Sequence, residues 1–150
     1  MRARAIYDGL GLDVSLESQA LRYYATLQGV AYGTRAIVDA LNAHGYRIET
    51  VMVTGGGTKN PLWLQEHADA LGLSLRLPEE GEAVLLGSAI LAATASGLHA
   101  NVPAAMKAMS RIGSKVEPRP QWRAYHDAKF AIFREMEQQQ RQRRVAMKDF

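Results

Sequence analysis

A chain of 150 residues with 47% hydrophobic and 22% charged side chains has the apolar material for one globular domain with a real core. The absence of cysteine removes disulfides, thiolate metal sites and cysteine nucleophiles, and fits a reducing cytoplasm. The net charge of +3 comes largely from Arg141, Arg143, Arg144 and Lys148, which end a glutamine-rich stretch without interleaved aromatics. That cluster reads as a solvated helix end, so no nucleic-acid partner is expected. No apolar run approaches the ~18 residues of a membrane span, so no membrane partner is expected either. The first seven residues lack an apolar h-region, so no secretory signal is expected.

Residues 1–15 contain no convincing element, and residues 10–15 read as a short extended piece leading to a helix cap at Ser15. Residues 16–43 form a long helix, with Leu16, Ala20, Tyr23, Tyr24, Leu27, Val30, Ala31, Ile37, Val38 and Leu41 at helical spacing. Gly29 and Gly33, on one face, suggest close packing against another element. Gly45 is placed to end the helix in a left-handed conformation, with His44 on the surface of that cap. Residues 46–54 read as a strand, and residues 61–71 as a helix that opens on Pro61, where a missing N–H costs nothing, and is capped by Gly72. Residues 73–77 alternate and read as a second short strand, followed by a turn over 78–81.

Residues 82–97 make a helix rich in small residues, which needs partners on most of its surface. Asn101 caps a short helix running to Ser110, and residues 111–120 read as a polar connector. Residues 121–148 form a terminal helix with an apolar stripe of Trp122, Tyr125, Phe130, Phe133 and Met136 in its first half. Two strands do not make an independently stable sheet, so a missing edge and a larger parent domain are expected.

The most informative stretch is 51–71. An apolar strand runs into Gly55, Gly56 and Gly57, then Thr58, Lys59, Asn60 and the helix from Pro61. Glycines let a flat or charged ligand approach the main chain, and a helix N-terminus aims free N–H groups at the same spot. A nucleotide uses such a site best. Neither the GxxxxGK[ST] nor the GxGxxG spacing is present, so the three glycines alone serve equally well as a plain strand-to-helix turn. Asp13, Asp39 and Asp69 fall at helix or cap positions where capping or solvated roles suffice. The four histidines, 44, 67, 99 and 126, have no metal-ligand spacing.

Four stretches together resemble the C-terminal part of FGGY-family carbohydrate kinases, closest to the D-ribulokinase and ribitol-kinase-like branch. They are residues 9–13 with 15–17, residues 24–35, residues 55–62 with Gln65 and residues 67–69, and residues 82–89. The resemblance implies an α/β fold: part of an actin-like ATPase (ribonuclease H-like) domain, with residues 1–150 as a partial C-terminal nucleotide-binding domain. It implies transfer of the ATP γ-phosphoryl group to a sugar or polyol hydroxyl with Mg²⁺, a pentulose or pentitol being favoured. Gly55, Gly56, Gly57, Thr58 and Asn60 would bind the nucleotide, and Gly87 and Ala89 would let their helix pack beneath the turn. Lys59 would lie near the phosphates. The family's catalytic base and sugar site belong to an N-terminal domain, so no catalytic residue is assigned here. The chain is expected to be a fragment, inactive alone, meeting the sugar through that absent domain, with exposed apolar surface that favours a homo-oligomer. A non-catalytic kinase remnant acting as a self-associating module is the alternative.

Overall fold

A computed structural model describes residues 6–146. Helix α1, Leu16–Ala43, has the predicted ends. Ser15 Oγ accepts from the Ser18 amide, while the Asp13 carboxylate accepts from the Ser15 amide and hydroxyl. At the other end the Gly45 amide donates to Asn42 and the Tyr46 amide to Leu41, with Gly45 at φ +93°, the paired bonds of a Schellman cap. The close packing expected at Gly29 and Gly33 is absent: a Cβ added at either would meet nothing within 4 Å.

Strand β1, Thr50–Met52, is shorter than predicted. It runs parallel to β2, Ser74–Pro78, and the two are joined through α2, Pro61–Leu71. Of residues 46–49 only Ile48 packs against the core, and the other three stay in solvent. The polar connector expected at 111–120 contains a third strand, β3, Ile112–Val116, antiparallel to β2. Only Ile112 and Val116 are apolar and Ile112 is 53% exposed, so the strand is recruited by backbone pairing and not by a buried face. Gly113 makes that pairing possible, because a Cβ there would lie 2.9 Å from the Glu79 Cα. The sheet order is β1-β2-β3, with an irregularity in the β2–β3 register near Arg76 and Pro78. The sheet thus has three strands where two were expected, with β1 and β3 as its edges.

Helix α2 fills the space between sheet and helices. Its Leu64 and Ala68 meet Leu75, with Val51, Val53, Trp63, Leu77 and Val116 around them. Its Ala70 and Leu71 meet Ala31, Tyr32 and Val38 of α1, with Phe130 and Phe133 closing the cluster. These phenylalanines belong to α5, Arg123–Ala146, which follows a 3-10 turn at Pro120–Trp122. The expected terminal helix thus starts two residues late in α-helical form, and its residues 147 and 148 lie outside the described residues. Valines and leucines at alternate positions face α2, and Met52, one residue out of phase, is 53% exposed.

Between β2 and β3 the chain forms α3, Ala83–Ala95, and α4, Val102–Met109, capped by Asn101. These two helices pack on each other. Val84, Leu85 and Leu91 of α3 are 83%, 66% and 60% exposed, so much of its apolar surface is uncovered where its composition calls for partners. No helix of the described residues is long and apolar enough to cross a membrane.

Candidate functional site

The glycine turn connects β1 to α2 and stands in solvent, with Gly55, Gly56 and Gly57 all exposed. Gly55 has φ +92° and ψ −171°, a backbone that side-chain-bearing residues rarely adopt. Gly56 opens a 3-10 turn, Gly56–Lys59, and a Cβ on it would meet nothing within 4 Å. The Thr58 amide and hydroxyl both donate to the Gly55 carbonyl, at 3.1 and 2.7 Å, and the Asn60 amide donates to Gly57. Gly57 lies flat against the Trp63 indole, whose ring atoms would be 3.4 Å from a Cβ. Among the described residues no acceptor takes the amides of Gly56 and Gly57. The turn therefore offers bare peptide surface and free donors to a flat ligand.

The helix behind it does not offer free amides as expected. Pro61 has none, and the Leu62 and Trp63 amides both donate to Asn60 Oδ1, at 3.0 and 3.2 Å. The Leu64 amide goes to the Asn60 carbonyl. Asn60 is thus the N-cap of α2, and only its Nδ2 remains for other work, part of it given to the Tyr23 hydroxyl at 3.1 Å. Gly87 and Ala89 do not lie beneath the turn: α3 packs on α4, and a Cβ at Gly87 would meet open space. Lys59 is exposed at the end of the turn.

Behind the turn lies a buried polar hub that the sequence did not announce. Glu66, 1% exposed, accepts from Tyr24 OH at 2.7 Å and Gln28 Nε2 at 2.9 Å, both on α1. Asp69, 2% exposed, accepts from the Arg119 amide and guanidinium at 2.6 Å and from Gln65 Nε2 at 3.0 Å. The same guanidinium reaches Glu66 Oε1 at 3.8 Å. Lys129 Nζ donates to Gln28 Oε1, and His126 Nδ1 pairs with Tyr32 OH. Asp69 is therefore an ion-paired buried residue, not the capping or solvated group expected, whereas Asp13 caps and Asp39 is exposed. Glu66, Asp69 and His126 converge closely enough to hold a metal ion. Their cation is already the Arg119 guanidinium, whose Nε and Nη2 both donate to Asp69 Oδ2, so the group does not fit a resident metal.

Burial sets the ionisation of this region. The Tyr24 phenol is pushed up by desolvation and by its bond to Glu66. Tyr32 is pushed up chiefly by desolvation. His126 and His67 are pulled below their ordinary value by burial, so both stay neutral imidazoles. His67 stacks on Trp63 with ring centroids 3.6 Å apart, and its Nδ1–H donates to the Trp63 carbonyl. The sequence signal for the hub is three polar side chains on the inward faces of α1 and α2, at Gln28, Glu66 and Asp69, where periodicity calls for apolar ones.

Comparison with known proteins identifies the family. Residues 1–96 match the FGGY family of carbohydrate kinases, C-terminal domain. The chain is 41% identical over 146 residues to an FGGY carbohydrate kinase domain-containing protein of Homo sapiens, covering 97% of this chain and 26% of that protein. It is 36% identical over 129 residues to a ribulokinase of Mycolicibacterium smegmatis, covering 85% of this chain and 22% of that one. Among solved structures, a xylulose kinase from Rhodospirillum rubrum superposes with a TM-score of 0.70 at 25% identity, over 89% of this chain and 27% of its own. The chain thus spans about a quarter of the length of the relatives it matches. Its fold is a piece of the actin-like ATPase fold of sugar kinases, an α/β arrangement. The chain belongs to the FGGY family of carbohydrate kinases and carries sequence of the family's C-terminal domain.

Proposed function

We propose that this chain supplies the adenosine-binding part of a kinase that phosphorylates a sugar or polyol hydroxyl, with a pentulose or pentitol such as D-ribulose or ribitol as acceptor. The observation that carries the reading is the solvent-facing glycine turn, whose Gly56 has open space where a Cβ would be and whose Gly56 and Gly57 amides are unclaimed among the described residues. ATP bound there supplies the γ-phosphoryl group. The chain's own contribution is to seat the purine and ribose: Gly55 and Thr58 hold the turn's shape, Gly56 and Gly57 present peptide surface, and Asn60 offers its remaining Nδ2 hydrogen. No described carboxylate stands on the turn, so no residue of this chain is assigned to Mg²⁺ or to the catalytic base. The acceptor sugar and the base belong to the rest of the protein, and residues 1–150 alone are inactive in transfer. A cysteine-free chain of this kind suits the cytoplasm.

A second reading has its own support. The open edge of β1 and the bare face of α3 suit a self-associating module without chemistry, a homo-oligomer of this chain.

Isothermal titration with Mg·ATP and Mg·ADP, alongside the mass in solution, separates the two. Gly56→Val leaves the backbone unstrained, since Gly56 lies outside the positive-φ set. It puts branched carbons where the nucleotide approaches. Saturable binding by the wild type, lost in a folded Gly56→Val, is expected. A folded wild type that binds neither nucleotide, or a variant that binds normally, overturns the adenosine-site reading and leaves the self-associating module.

A further inference from the structure

We propose that Tyr23 is a nucleotide-binding residue, its phenol and the Asn60 amide forming a donor pair that takes the ribose hydroxyls of a purine nucleotide lying on the glycine turn. The inference rests on the reading of that turn as the adenosine site.

Counting hydrogens and lone pairs leads there. An asparagine side chain has one oxygen acceptor and two amide hydrogens. Asn60 Oδ1 accepts from Leu62 and Trp63 amides, and only the oxygen can cap a helix in this way. The capping bonds therefore fix which end of the amide is which. Nδ2 must then be the atom that meets Tyr23, and it donates to the phenol oxygen at 3.1 Å. Having accepted that bond, the phenol keeps its own hydrogen as a donor, and one Nδ2 hydrogen is also left. Among the described residues neither has a further partner.

The placement is not a by-product of core packing. Tyr23 is 55% exposed and comes from α1, 37 residues before Asn60, to stand in water beside the turn. An exposed tyrosine–asparagine bond contributes little to stability, so a stability role does not account for it. Asn60 needs its oxygen to start α2, but α2 needs nothing from the phenol. Two donors with heavy atoms 3.1 Å apart suit two acceptors on adjacent atoms. On a purine nucleotide the vicinal 2′ and 3′ hydroxyl oxygens are such a pair, and a ribose lying on Gly56 and Gly57 brings them to the rim where Asn60 stands.

Tyr23→Phe keeps the ring and removes one hydroxyl. The full chain and this variant are titrated with Mg·ATP, Mg·2′-deoxy-ATP and Mg·3′-deoxy-ATP, with far-UV circular dichroism to check the fold. The variant is expected to bind ATP about three- to tenfold more weakly, the loss for one neutral hydrogen bond. With the deoxy analogue that lacks the hydroxyl Tyr23 holds, wild type and variant should bind alike. Equal ATP affinity in wild type and Tyr23→Phe overturns the inference. A penalty of the same size with both deoxy analogues also overturns it, since the phenol then acts only by steadying Asn60. Gly56→Val in the same series tells the two failures apart. If Gly56→Val abolishes binding while Tyr23→Phe changes nothing, this inference alone falls. If Gly56→Val binds as wild type does, or the wild type binds no nucleotide, the turn is not the adenosine site and both fall.

Discussion

Removing the Arg119 guanidinium tests whether the buried hub holds the fold together. Asp69 and Glu66 have side chains 0% and 1% exposed, and Arg119 is the cation that faces both. Truncation at a fully buried pair leaves an uncompensated charge and costs about 3–5 kcal/mol. Here the figure is lower, for two structural reasons. Arg119 is itself 43% exposed, so water can follow the side chain out. The carboxylates also keep other donors: Gln65 and the Arg119 amide on Asp69, Tyr24 and Gln28 on Glu66. Arg119→Ala is therefore expected to cost about 2–3 kcal/mol, a fall in Tm of roughly 4–12 °C for a chain of this size. Urea unfolding followed by circular dichroism measures it, with Arg134→Ala as the comparison. Arg134 pairs with Glu137 on the surface of α5, where such pairs contribute about 0–1 kcal/mol. Adding Asp69→Asn to Arg119→Ala should recover part of the loss, because one unpaired buried carboxylate then disappears. If Arg119→Ala lies within about 0.5 kcal/mol of wild type, or Asp69→Asn makes the double variant worse by its full single-variant cost, the hub is not held by charge pairing.

Two further expectations follow, one from buried histidines and one from a tight strand contact. His67 and His126 have pKa values below the ordinary 6.5 in the folded chain. As pH falls through 6.5 the unfolded chain takes up these protons first, so the stability is full above 6.5 and declines below it. His126→Asn, which keeps a partner for Tyr32, should reduce the drop in urea midpoint between about pH 7.5 and about pH 5.5; an undiminished drop would remove His126 from the account. Gly113→Ala should destabilise by about 1–3 kcal/mol, since its Cβ would press on the Glu79 backbone at 2.9 Å. A thermal melt that matches wild type would show that β2 and β3 can separate without cost.

The helices α1 and α2 were legible to the residue because their ends carry chemistry: Ser15 and Gly45 for one, Asn60-Pro61 and Gly72 for the other. The glycine turn was legible for the same reason. That Asn60 would use up the α2 amides was also written in the sequence, as an asparagine directly before a helix-opening proline, but a ligand role masks a cap role when both want the same atoms. β3 was not legible, because its partner β2 is remote in sequence and a strand of I-G-S-K-V has no buried face to announce it. The hub showed locally only as polar residues on inward helix faces, and its pairing was illegible, since the Asp69 partner lies 50 residues away at Arg119. The mistaken position of α3 has a related origin: small residues say that something comes close, not what.

The chain leaves the sheet after Pro78 and returns at Ile112, and the two ends of that excursion are joined, Glu79 N to Arg111 O at 3.0 Å. To the sheet, α3 and α4 are a single point of attachment. Each doubling of the length of such an excursion costs only about 0.6 kcal/mol of closure entropy. A longer or shorter lobe would therefore change the closure cost of the β2–β3 pairing only slightly. β1, which leads into the glycine turn, sits on the far side of β2 from that attachment.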